Sequence, residues 1–263
     1  MQENVIAGDE AILVAPTPTP PPRLRRRFST VGAGLRELVL ITVLYVGYTS
    51  SRRLASDDKD AAIHRAKVLL RIQKAVRLNW EHGLNTFFVH HDALGVFASF
   101  WYATAHYIVT LVVLFWLYFK GRDAYLPARR ALMVATVLAL SLYLMLPTAP
   151  PRFVAGYTDV LALHSDVGWW GADASAPKGM GHLTNELAAF PSLHAGWSLW
   201  CALVLQRHAR WRIVKIFGWV GAFVTAAVVV GTANHWVLDV LVGWMVTIAG
   251  VVAVWELTPK LPE

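Results

Sequence analysis

The sequence predicts an all-α integral membrane protein: a bundle of six transmembrane helices, with a basic amphipathic helix on the membrane surface between spans one and two. Three observations carry that expectation. Hydrophobic residues make up 56% of the 263-residue chain and charged residues 16%. Apolar runs close to bilayer length recur along it. The basic residues cluster between those runs, where they set orientation and meet anionic lipid. The formal charge of +7, from 24 basic and 17 acidic residues, would point to nucleic acid in a soluble chain. No aromatic–basic motif accompanies it, so no nucleic-acid partner is expected. Cys201 is the single cysteine, which excludes an intrachain disulfide.

Residues 1–30 hold Pro-Thr-Pro-Thr-Pro-Pro-Pro followed by Arg-Leu-Arg-Arg-Arg. They read as a disordered basic tail, without the apolar core of a cleavable signal peptide. Residues 31–263 form the membrane catalytic domain, whose first span is expected at about 35–50. At about 60–79, Leu69, Ile72 and Val76 share one helical face, opposite Lys67, Arg71, Lys74 and Arg77. That pattern fits a helix lying on the membrane surface, or one packed on the rest of the protein. Spans two to six are expected at about 96–119, 131–146, 187–205, 213–230 and 235–255, with a hydrophilic outer loop at about 148–186. The tail and the loops at 120–130 and 207–215 each carry about four basic residues, which makes that side and both termini cytoplasmic. The segment 52–95 breaks the rule, with eight basic residues on the other side.

With this layout, three polar segments meet at the extracytoplasmic face of what is expected to be a bacterial plasma membrane. The first ends span three and contains Arg152, suited to bidentate phosphate contact and equally to anchoring at the headgroups. The second is Phe190-Pro-Ser-Leu-His-Ala195, where Ser192 reads as a helix N-cap, free amides favour an anion, and His194 falls in the first turn. The third is Gly231-Thr-Ala-Asn-His-Trp-Val-Leu-Asp239. His235 and Asp239 are four residues apart, so on a helix they stack on one face. Taken alone, that pair reads more readily as a polar cap at the water interface. Together, one guanidinium, one anion-favouring helix start and two histidines make the parts of a phosphoryl-transfer site. No P-loop pattern and no acidic cluster occurs in the sequence, so neither a metal nor another cofactor is expected.

The trio Pro-Pro-Arg152, Pro-Ser-Leu-His194 and Asn-His235-Trp-Val-Leu-Asp239 resembles the type 2 phosphatidic acid phosphatase superfamily. It looks closest to the branch of inositol phosphorylceramide synthases and their bacterial inositolphosphotransferase relatives. The resemblance implies that His235 is the nucleophile, forming a phosphohistidine, and that Asp239 orients it. It also implies that His194 protonates the leaving group and later deprotonates an acceptor, while Arg152 holds the phosphate. The sequence departs from the superfamily pattern in several places. Met145 stands at the first motif's Lys, Pro151 precedes Arg152 rather than following it, Leu193 replaces a Gly, and Val228 and Val229 replace a Ser-Arg pair. Lys178, His182 and Asn185 in the outer loop, or Asn234, are candidates to replace the lost charge.

His106, in span two, is either a packing histidine or a contact to the headgroup or acceptor. His90-His91-Asp92 is a weak metal signal, because no further ligands follow at suitable spacing. The expected function is transfer of a phosphate-bearing headgroup between a lipid and a small polar acceptor alcohol. Alternatives are a lipid-phosphate or polyprenyl-diphosphate phosphatase that uses water, and a non-catalytic membrane protein with a degenerate site. The lipid, the acceptor and the oligomeric state are not encoded legibly in the sequence.

Overall fold

The computed structural model of the chain describes residues 58–171, 178, 187 and 189–257, with isolated positions 32, 35, 39 and 42. The Pro-rich tail and almost all of the first expected span lie outside the described residues. Those described contain helices and no strands.

Two short helices come first: α1 (Lys59–Ala75) and α2 (Glu81–His90). Asp58 caps α1 by accepting from the Ala61 amide at 2.9 Å. Four long helices of the bundle are α3 (Asp92–Lys120), α4 (Arg122–Met145), α7 (Arg212–Gly231) and α8 (Val237–Leu257); a 3-10 turn (Pro151–Phe153) and the one-turn α5 (Val160–Leu163) follow α4, and α6 (Leu193–His208) precedes α7. By length and composition, α3, α4, α7 and α8 can each cross a membrane. At 16 residues, α6 is shorter than a full crossing of about 20.

The helix α4 begins well before the expected third span, so Arg129 and Arg130 lie within it rather than ahead of it. Pro127 sits in its second turn, where few carbonyls lie behind it to lose a donor. The bundle closes through small residues. A Cβ on Gly250 of α8 would lie 3.0 Å from the Ala135 amide nitrogen and 3.1 Å from the Ala131 carbonyl oxygen of α4. Lipid tails are as apolar as leucine, so such close backbone approach supplies the packing energy that water would supply elsewhere.

Small residues set how α1 sits on the bundle. Ala62 and Ala66 are fully buried, packed near Trp236, Ala149 and Ala189. Ile72 and Val76, on the apolar face that the sequence displays, are 51% and 55% exposed in the chain. Small alanines let α1 come close, and Gln73 is carried into the interior with no exposed surface. Its Nε2 donates to Glu81 Oε1 at 2.5 Å, and its Oε1 accepts from the Leu238 amide at 2.7 Å. Glu81 Oε1 also accepts from the Val237 amide at 3.0 Å. The first amides of α8, which no helix satisfies internally, are thus met by side chains from α1 and α2.

Gln73→Leu keeps the side-chain bulk but strands the Leu238 amide and a Glu81 lone pair. It should cost about 1–3 kcal/mol, whereas Ile72→Ala should stay within about 0.5 kcal/mol. Thermal unfolding of the two purified variants in detergent separates them, and equal losses would contradict the seating of α1.

Candidate active site

Helices α6 and α8 begin at the same end of the bundle, and the backbone fixes them to one another there. The Ser192 amide donates to the Asp239 carbonyl at 2.9 Å. Ser192 caps α6, its hydroxyl accepting from the Ala195 amide at 3.3 Å. A Cβ on Gly243 would meet the Ser192 carbonyl oxygen at 2.3 Å, and one on Gly196 would meet Thr247 Oγ1 at 2.8 Å. Two glycines therefore set how near the two helix starts can lie.

His235 is 3% exposed and Asp239 is fully buried. They do not stack along one helix, as their spacing suggested, because α8 starts at Val237 and His235 lies before it. Asp239 reaches back instead, its Oδ2 accepting from the Trp236 amide at 2.7 Å and lying 3.5 Å from His235 Nδ1. The closer partner of His235 is the Ala189 carbonyl, 2.8 Å from Nδ1. A carbonyl oxygen only accepts, so Nδ1 carries the proton, and the neutral ring has its free electron pair on Nε2.

The His194 ring is stacked on Tyr102, with centroids 4.4 Å apart, and lies 3.9 Å from the His106 ring. The His194 and His235 centroids are 5.6 Å apart. Two imidazoles at that separation can address opposite sides of one phosphoryl group. His106 is 7% exposed and belongs to the wall behind His194.

Arg152 occupies the 3-10 turn, and its amide donates to the Ala233 carbonyl at 3.0 Å. Its Nη1 donates to Asn234 Oδ1, and its Nε lies 3.4 Å from Asp159 Oδ2. The guanidinium is therefore drawn inward to the turn that carries His235, rather than outward as a headgroup anchor. Asn234 is itself fixed, its amide donating to the Thr232 carbonyl and hydroxyl at 3.1 Å each. Lys178 is exposed, and its backbone amide donates to the Trp169 carbonyl at 3.1 Å. His182 and Asn185 lie outside the described residues.

Several contributors escape sequence reasoning. The Ala189 carbonyl is backbone and carries no side-chain signal. Asp159 caps α5, its Oδ1 accepting from Leu161 at 3.0 Å and Ala162 at 3.2 Å, while its other oxygen faces Arg152. Asn85 ties the outer loop to the end of α7, donating to the Gly231 carbonyl at 2.8 Å and to the Thr158 carbonyl at 2.9 Å. Burial, and then the charge of Glu81, push the Tyr157 hydroxyl up to about 12, so it keeps its proton beside Trp236. The His90 and His91 rings lie 2.7 Å from the carbonyls of Thr86 and Phe87 one turn back, and Asp92 Oδ1 lies 3.0 Å from His164 Nε2. Those three neighbours therefore have separate tasks.

The family model described as the PAP2 superfamily matches residues 67–253, from the middle of α1 to the last turns of α8. The chain belongs to the PAP2 superfamily. It is accordingly an enzyme of the lipid phosphatase and phosphotransferase class, built as a helical membrane protein. Among solved structures, that of Aquifex aeolicus LpxE is similar to this PAP2 protein in fold. It has a TM-score of 0.50 and 21% identity, and the match covers 68% of this chain and 95% of that one. No curated protein matches the chain at a significant level.

In this PAP2 chain, Gly243→Ala should force α8 away from the Ser192 carbonyl, because the obstacle is backbone and cannot rotate aside. Activity should fall at least about tenfold, with the helical content by circular dichroism retained. Full activity in that variant would show that the spacing of α6 and α8 is not what sets the site.

Proposed function

We propose that this PAP2 enzyme is a six-span phosphotransferase that moves a phosphate-bearing headgroup from a lipid to an acceptor alcohol through a phosphohistidine on His235. In this reading α1 lies at the extracytoplasmic membrane surface, and the basic ends of α3, α4, α6 and α7 lie in the cytoplasm. One observation carries the chemistry: the His235 ring, with Nδ1 tied to the Ala189 carbonyl, lies 5.6 Å from the His194 ring.

In the first step Nε2 of His235 attacks phosphorus and the bond to the lipid oxygen breaks. His194 supplies the proton that this oxygen takes. In the second step His194 takes the proton of the acceptor hydroxyl, whose oxygen attacks phosphorus as the Nε2–P bond breaks. Asp239, 3.5 Å from Nδ1, stabilises the positive charge that His235 gains on phosphorylation. Arg152 and Asn234 hold phosphoryl oxygens, and Ser192 places the start of α6 against them. Support for transfer over hydrolysis comes from the sequence rather than from enclosure of the site, for His194 is only partly buried beside Tyr102 and His106. The loss of the superfamily's other cations at Met145, Val228 and Val229 points to transfer, through the branch that the sequence resembles.

Turnover of a labelled lipid phosphate in the presence of inositol or another polyol should yield a new phosphodiester. Free phosphate as the sole product would replace transfer by hydrolysis. His235→Ala should abolish turnover, and His194→Ala should lower it about 100- to 10,000-fold. Asp239→Asn should cripple turnover while leaving the thermal midpoint nearly unchanged, because the amide oxygen of Asn still accepts from the Trp236 amide. A chelator should leave activity intact, and recovery only with an added divalent ion would overturn the covalent-histidine route.

A further inference from the structure

A cavity of about 280 Å³ lies between α3, α6 and α7. Trp101, His106 and Thr225 border its outer end, and Leu205 and Val214 its inner end. Trp Nε1 of residue 101 donates to Thr225 Oγ1 at 2.9 Å, joining α3 to α7 across the outer rim. His106 belongs to both places: it lines the cavity and its ring lies 3.9 Å from that of His194. The cavity thus starts directly behind the candidate acid–base histidine and continues down the bundle.

Its length matches one leaflet. From residue 214 to 225, α7 rises about 16 Å, against about 15 Å for half a hydrocarbon core. Its flank faces lipid, for the lining residues Val109 and Phe217 are 43% and 67% exposed. Gly221 stands along the α7 wall, and a Cβ there would meet nothing within 4 Å. Gly218, on the same wall, is different: a Cβ would lie 3.1 Å from Leu205 Cδ1 and 3.2 Å from Ala202 Cα. Glycine at 218 is a packing requirement, whereas glycine at 221 keeps space open.

We propose that this slot holds a hydrocarbon chain of the lipid whose phosphate reacts at His235, and that Gly221 sets the chain length it accepts; the inference rests on the function proposed above. The bilayer is as apolar as the slot, so entering it gains little from transfer out of water. Selection comes from shape and close contact.

The probes are two alkyl phosphates, one short and one long, the long one also made with a diazirine near the chain terminus. In the purified wild-type protein, light should attach the long probe to slot residues such as Cys201 and Leu205, read by peptide mass spectrometry. Gly221→Leu should remove that labelling and lower the long-to-short ratio of kcat/KM about tenfold. Gly221→Ala should shift the ratio less and in the same direction. Labelling confined to outward residues such as Phe115 and Met245, which are both 66% exposed, would overturn the slot. So would an unchanged ratio in active Gly221→Leu enzyme. Slot labelling in a wild-type protein that turns over neither phosphate would uphold the slot and sink the proposed chemistry instead.

Discussion

The first turn of α8 presents backbone amides that the helix cannot satisfy, in a place where water is scarce. Three side chains meet them: Asp239 at Trp236, Glu81 at Val237 and Gln73 at Leu238. Two of the three are carboxylates, and the positive end of the helix dipole favours them there. This is a structural constraint before it is a chemical one. It holds α1 and α2 to the bundle and fixes where α8 begins. It also leaves His235 just outside the helix, on a turn whose ring bond to Ala189 decides which nitrogen carries the proton.

Around that turn the site is assembled mostly by backbone. Ala233 and Ala189 offer carbonyls to Arg152 and His235, and Asp239 offers one to Ser192. Backbone partners cannot rotate away, so the positions of the charged groups are set by how helices approach one another, and hence by Gly196 and Gly243. Precision of this sort suits phosphoryl transfer, where most of the rate comes from placement of charge in advance.

Four of the expected spans, two, three, five and six, were legible because a bilayer imposes a length and an apolar composition that a sequence displays directly. The motif around His194, His235 and Asp239 was legible because residue type and spacing survive in the linear chain. What failed to show was long-range. Gln73 and Leu238 are 165 positions apart, and no local periodicity announces their bond. In α1 the eye goes to Leu69, Ile72 and Val76, yet the buried residues are Ala62, Ala66 and Gln73. Close packing there depends on smallness rather than on hydropathy. The i, i+4 spacing of His235 and Asp239 gave the right neighbours for the wrong reason, since their contact is made across a helix start and not along a helix face.

Arg152 faces Asp159 at 3.4 Å and bonds to Asn234 before any ligand arrives. At rest the cation is therefore neutralised by its own chain. An incoming anion has to compete with a tethered carboxylate, which a halide or a small monovalent acid does poorly. A phosphoryl group competes well, since it offers several oxygens and more charge. Under the proposed function, pairing the guanidinium internally would act as a threshold, passed more readily by a phosphoryl group than by a halide.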